Sequence, residues 1–294
     1  MQKVAPPPAP VSPFNQRLFL LVVLALTAFA ANSLLCRLAL RGTGIDAASF
    51  TGVRIFSGAV TLLLIVWWRE RDTLRIPAGS WRSALALFVY AAGFSFAYLQ
   101  LSAAVGALLL FGAVQLTMIG FGIWSGERLR LLQTIGLLLA VSGLIGLLLP
   151  GLTAPPPYSA ALMIVAGAAW GIYSLRGRGA KNATEITAGN FLRAIPFAVV
   201  LAILTSVPLV AEWTGIAYAI ASGALASGLG YAIWYAALPG LAATQAATLQ
   251  LSVPVLTALG GVLFLGEPIT PRLALGSLAI LGGIALVTGI RRRS

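Results

Sequence analysis

The apolar positions of this chain do not alternate with polar ones. They run on in long stretches, as in 131–149, and short polar clusters separate one stretch from the next. A bilayer span needs about 20 such residues. Its core offers no water to unpaired backbone groups, so only helices and closed barrels cross it. Barrel strands would read as short alternating segments, so the pattern predicts helices. Ten are expected, over 17–40, 46–68, 81–100, 103–125, 129–149, 159–176, 185–208, 213–237, 241–265 and 271–290. Only Ser102 marks the third junction, and only Pro239-Gly240 the eighth.

Composition removes the soluble alternatives. Hydrophobic residues make up 59% of the 294 and charged ones 9%, against about 25% charged in a soluble domain. Ten spans with short connections use nearly the whole chain and leave no room for a soluble catalytic domain. Residues 1–16, rich in proline, read as a disordered tail, and the run after Arg17 as a retained first helix instead of a cleaved signal.

The net charge of +12 changes the picture only through its placement. The bases lie between apolar runs and form no single patch, so nucleic acid is not the expected partner. With the N-terminus inside, the inner segments hold Lys3, Arg17, Arg69, Arg71, Arg75, Arg82, Arg128, Arg130, Arg176, Arg178, Lys181 and Arg291 to Arg293, which is 14 of the 19 bases. The outer connections hold Arg41 and Arg272, and Arg37, Arg54 and Arg193 fall within or near spans. This bias predicts cytoplasmic termini. Trp67, Trp68, Trp81 and Trp124 fall at inner helix ends, Tyr158 and Trp213 at outer ones, as interfacial aromatic belts do.

The chain also repeats itself. Gly126, Glu127, Gly136 and Gly143 match Gly266, Glu267, Gly276 and Gly283 at an offset of 140, and Asp46 and Arg54 match Glu185 and Arg193 at 139. Five helices per copy is an odd number, so the second copy enters the membrane from the opposite side. Such inverted repeats typify secondary transporters. Each acid begins a helix, where the dipole favours it. Each arginine lies eight residues deeper, about 12 Å along the axis, Arg54 toward the outer side and Arg193 toward the inner.

The repeat, the ten helices and the Gly-Glu junctions resemble the drug/metabolite transporter superfamily, in its ten-helix branch with two EamA-type repeats. Residues 246–287, with Pro254, Leu-Gly-Glu and a glycine-marked last helix, are similar to that family's second-repeat signature. The first copy departs from it in having Val114 where the second has Pro254. The resemblance implies an all-α membrane protein whose two inverted five-helix repeats, 17–150 and 159–290, surround a central substrate cavity in basket fashion. Within the branch the chain is most similar to bacterial aromatic amino-acid exporters of the inner membrane.

Candidate chemistry follows from what lies inside the spans. No histidine, metal-ligand cluster or phosphate loop is present, and none of the seven acids falls in mid-span. Neither an enzyme nor a cofactor is expected. Buried acids mark proton relays, so their lack predicts uniport or exchange. Cys36 is the lone cysteine, so no internal disulfide forms. Gly167/Gly171 and Gly122/Gly126 are pairs that let helices approach closely, and Gly228-Leu229-Gly230 reads as packing glycine.

An unpaired arginine at mid-bilayer costs about 2.5–3.5 kcal/mol on insertion scales. Arg54 and Arg193 are therefore either pins bonded to carbonyls or cations awaiting a substrate carboxylate, and their symmetric placement favours pins. Cavity candidates are the polar and aromatic residues well inside spans. Tyr90, Phe94 and Tyr98 recur every four residues, Trp170 and Tyr173 lie three apart, and Tyr231, Trp234 and Tyr235 share a face. Asn32, Gln115, Gln245 and Gln250 add amides; interhelical packing is the competing reading for each. Such a lining suits a flat apolar ligand with a zwitterionic end. Pro254 is expected to break or hinge the ninth helix.

The sequence thus predicts a secondary transporter exporting amino acids, aromatic ones first, with a small molecule and the lipid bilayer as partners and a monomer as the simplest assembly. A carrier of purines, sugar nucleotides or cationic drugs is the alternative, and a membrane enzyme or channel stands behind that. A sugar nucleotide would want a dense basic cavity, and a cationic drug a buried acid.

Overall fold

The computed structural model describes residues 16–70, 77–126, 128–151, 154–177, 180, 182–205, 212–241, 246 and 249–289. The predicted N-terminal tail (but for Gln16), Glu127 and Gln245 lie outside them.

Each predicted run contains a helix. These are α1 (Gln16–Gly42), α2 (Ala47–Glu70), α3 (Trp81–Ala97), α4 (Ala103–Trp124), α5 (Leu131–Leu148), α6 (Pro157–Gly177) and α7 (Ala183–Thr205). After them come α8 (Trp213–Gly240), α9 (Ser252–Leu265) and α10 (Pro271–Gly289). Seven are long and apolar enough to cross a bilayer; α3, α9 and α10 are shorter apolar helices. Among the described residues no strand occurs. Side chains are sorted as a lipid solvent requires. Leu263, Phe264 and Leu278 face outward, while Arg54, Asn32 and Gln115 are buried. All six interfacial tryptophans and tyrosines named above are exposed. The chain is a multi-pass membrane protein.

Polar residues at the helix starts satisfy orphan amides. Asp46 Oδ1 accepts from the Ala48 and Ser49 amides at 2.8 and 2.9 Å. Ser80 and Ser102 cap α3 and α4, and Thr270 accepts from Leu273 N at 3.1 Å ahead of α10. The Ser102 cap explains why a single serine suffices to divide α3 from α4. The matched glycines Gly126 and Gly266 both take positive φ, +92° and +61°, where α4 and α9 end. Only glycine does this without strain.

Two helices depart from expectation. α8 is π-helical over Ala221–Leu229 and ends in a 3-10 turn at Leu238–Gly240. In the ninth segment, helix is present at 249–250, lapses at Leu251 and resumes at Ser252. Pro254 is therefore in the first turn of α9, not in its middle. The missing N–H costs nothing there, and the ring would clash with the carbonyl four residues back, so the break falls ahead of the proline.

α2 packs on α7, α5 on α10 and α4 on α9; α3 and α4 pack on α6, α8 and α9 on α1, and α2 on α8 as α3 on α7. These principal pairings are unchanged when helices 1–5 are exchanged for 6–10. The repeat glycines sit where α5 meets α10, and they meet crosswise. A Cβ on Gly136 would lie 2.6 Å from Gly283 O, and one on Gly276 3.8 Å from Gly143 O. Gly167 and Gly171 likewise admit α4, since a Cβ on Gly167 would lie 2.6 Å from Leu110 O and one on Gly171 2.9 Å from Thr117 Cβ. Gly126 does not make such a contact, since it faces open space, and Gly122 is among the residues that line a cavity. Gly228 and Gly230 pack on Thr61 and Ala28.

Candidate functional site

A cavity of about 1450 Å³ enters the bundle from one end. Its mouth lies where α2, α4, α6 and α8 finish, and carries Arg69, Ser125, Arg128, Asn182, Glu185 and Pro239. Its blind end is formed by Asn32, Ser33, Tyr90, Phe94, Trp170 and Tyr231. Among the described residues, none from the connections at the opposite end lines it. The cavity is thus open on one side only.

Trp170 of α6 is the centre of the aromatic wall. Its ring lies 4.8 Å from that of Tyr90, stacks on Tyr231 at 5.1 Å, and is backed by Tyr173 at 5.3 Å. Phe29 abuts Tyr231 and Trp234 at 5.7 and 5.9 Å. A polar chain crosses the same level. Ser222 donates to Asn32 Oδ1 at 2.6 Å, Asn32 Nδ2 donates to Tyr90 Oη at 3.3 Å, and Arg54 Nη2 donates to the same oxygen at 2.8 Å. Four helices, α8, α1, α3 and α2, are tied by these three bonds.

Of the predicted lining residues, Asn32, Tyr90, Gln115, Trp170, Trp234 and Gln250 face the cavity, as do Phe94, Tyr231 and Tyr235. Tyr98 does not. It is fully buried toward the closed end, where its hydroxyl donates to Ala103 O at 3.2 Å. Tyr173 does not either: it stands behind Trp170, with its hydroxyl among Thr187 and Asn190 at 3.4 and 3.3 Å. Gln245 lies outside the described residues. Phe29, Phe111 and Gln133 were not singled out from the sequence, yet they line the space. Gln133 also caps α5 and donates to Val287 O at 3.1 Å.

The two matched arginines part company. Arg193 Nη1 donates to Pro77 O at 3.1 Å and to Gly189 O at 2.9 Å, which is the pin reading. Among the described residues no carbonyl bonds the Arg54 guanidinium; besides its bond to Tyr90 Oη it lies over the faces of Tyr90 and Phe94.

The closed end holds an arrangement the sequence did not announce. Arg37 Nε lies 3.1 Å from Glu267 Oε1. Arg37 Nη1 also donates to Tyr98 O and Leu99 O at 2.9 and 3.2 Å, and Glu267 Oε2 accepts from Ala103 N at 2.7 Å. Both charged groups are largely buried. One ion pair therefore joins α1, the α3–α4 junction and the α9–α10 junction, across 230 residues of sequence. Among the described residues it is the only salt bridge.

An apolar helical bundle enclosing a one-ended aromatic and polar cavity is the architecture of a membrane transporter. The chain belongs to the EamA-like transporter family, whose model matches it twice, over residues 16–149 and 158–289. It is 56% identical to an uncharacterized protein of Pseudomonas aeruginosa, over 94% of this chain and 96% of that one. It is 33% identical to the threonine/homoserine exporter RhtA of Escherichia coli, over 46% of each chain. A solved crystal structure shares the fold, with a TM-score of 0.67 at 19% identity over 94% of this chain and 99% of that one.

Proposed function

We propose that this protein exports amino acids with flat, apolar side chains across the bacterial inner membrane. It works by alternating access between two inverted repeats, 17–150 and 159–290, with ten spans and both termini cytoplasmic. The double family match, the exchange-invariant helix pairings and the crosswise glycines all support two opposed copies. The inner side is the basic one, and Arg69 and Arg128 stand at the cavity mouth. The cavity then faces the cytoplasm, and the Arg37–Glu267 pair closes the outer side.

The observation that carries the substrate reading is the ring wall at the blind end, Trp170 between Tyr90 and Tyr231. Aromatic faces favour a flat apolar side chain in offset or edge contact. Amides and hydroxyls beside them, from Asn32, Gln115 and Gln250, supply partners for a polar end. The partial likeness to a threonine/homoserine exporter supports amino-acid cargo, and the ring wall favours larger side chains than threonine's. Lacking a mid-span acid, the carrier moves substrate by uniport or exchange.

Proteoliposomes loaded in turn with labelled phenylalanine, tryptophan, threonine and leucine test this. Aromatic substrates should move fastest, and Trp170→Ala should slow them by about tenfold, the weight of one or two kcal/mol of ring contact. Transport of threonine with no aromatic transport would overturn the side-chain reading. Uphill movement driven by a proton gradient alone would overturn uniport and exchange.

A further inference from the structure

Arg54 presents an imbalance that the fold itself does not resolve. Its side chain is among the largest in the molecule to be fully buried, with 2% of the residue exposed. Nη2 donates to Tyr90 Oη at 2.8 Å. Nη1, equally buried, has no hydrogen-bond partner. No carboxylate among the described residues pairs with the group, since the one ion pair uses Arg37. Two ring faces cover it instead, with the guanidinium carbon 4.7 Å from the Phe94 centroid and 5.1 Å from that of Tyr90. A guanidinium cannot shed its charge as a lysine can, and a buried cation without an anion is costly. Ring quadrupoles offset part of that cost, but they leave the Nη1 protons unmatched.

Position gives the imbalance a use. Tyr90 and Phe94 line the blind end of the cavity, so Arg54 stands directly behind its wall. Tyr90 Oη already accepts from both Arg54 and Asn32, and the Tyr231 hydroxyl stands beside it as a further hydrogen-bond partner. An oxyanion arriving at this level would find a guanidinium N–H and a phenol O–H together. The corresponding Arg193 has no such vacancy, because two backbone carbonyls fill it.

We infer that Arg54 is the receptor for the carboxylate of the transported molecule, covered by Tyr90 and Phe94 when the cavity is empty and uncovered as a carboxylate replaces their ring faces. This rests on the amino-acid reading above and adds the group that selects the backbone end of the substrate. The side chain then lies along Trp170 and Tyr231. Withdrawal of the rings without an anion would leave the cation bare, so the empty carrier resists the movement that the loaded one makes.

The test is binding to the purified full chain, followed by tryptophan fluorescence and thermal shift. The probes are phenylalanine, 3-phenylpropionate, phenylalaninamide and phenethylamine, with threonine and threoninamide alongside. Wild type should bind the carboxylates about 10- to 100-fold more tightly than the amide or amine, as a charge-assisted bond implies. Arg54→Gln should remove that preference, so that phenylalanine and phenylalaninamide bind about equally, and Arg54→Lys should keep part of it. Arg54→Met should melt no lower than wild type without ligand, because it removes an unpaired buried charge, which separates lost binding from lost folding. Equal binding of carboxylates and amides by wild type, or a preference that survives Arg54→Gln, overturns the receptor. Preference for threonine over threoninamide with no binding of the phenyl compounds overturns the aromatic reading and leaves the receptor standing. Absence of binding by every probe overturns both.

Discussion

Arg37 in the first half and Arg176 in the second stand 139 residues apart, the spacing that also relates Asp46 to Glu185 and Arg54 to Arg193. Their surroundings are unlike. Arg37, at the closed end, is buried against Glu267 and two carbonyls. Arg176, at the open end, is exposed and donates to the hydroxyls of Ser83 and Ser80 at 3.0 and 3.3 Å. Corresponding residues therefore differ in partner, and the difference follows from which end of the bundle is shut. Where the halves touch one another at α5 and α10, the correspondence holds in contact as well as in sequence.

The largest effect expected from this contrast is that of Arg37→Gln. It leaves the Glu267 carboxylate buried with one amide donor, which should cost about 3–5 kcal/mol and lower the melting temperature in detergent. It should also unseal the closed end, which the proposed orientation places outside. A cysteine at Ser33, in a Cys36→Ala background, should then react with an impermeant maleimide from outside, whereas the parent stays protected. Replacing Arg37 and Glu267 together by methionine should restore most of the stability without restoring the seal. Next come Gly136→Val and Gly283→Val. Each forces a side chain into the facing backbone, at about 1–3 kcal/mol, and near-equal losses in thermal unfolding are expected because each glycine is the other's neighbour. Arg176→Gln should be the mildest, about 0.5–1 kcal/mol for partly exposed bonds to two hydroxyls, with the seal at the closed end intact. Equal behaviour of Arg37→Gln and Arg176→Gln would break the comparison.

Much of the bundle was legible in the sequence because lipid imposes a long apolar run on every crossing helix. The junction between α3 and α4 was readable from Ser102, and the two Gly-Glu junctions from their repetition at an offset of 140. The cavity was legible only in part. Trp170 and Tyr90 were found because polar-tipped rings inside a span must turn away from lipid. The same argument applied to Tyr98 and Tyr173, which also turn inward but toward neighbouring helices instead of the open space. Periodicity tells which residues share a face, not what stands opposite it. The Arg37–Glu267 pair left no local trace, because its partners come from distant junctions. The expectation that Arg54 and Arg193 would behave alike failed for a related reason: sequence correspondence fixes the position of a side chain, and the open or closed state of each end fixes its company.

The crosswise glycines carry a consequence for descent. If the two halves are copies of one ancestral segment, then at the α5–α10 seam each copy is the other's environment, and enlarging one glycine demands room that only its counterpart can yield. Drift there is tied, so these positions should change in pairs or not at all. Arg54 and Arg193 face no such bargain, and the two copies were free to turn one arginine into a strut and leave the other open for a new purpose.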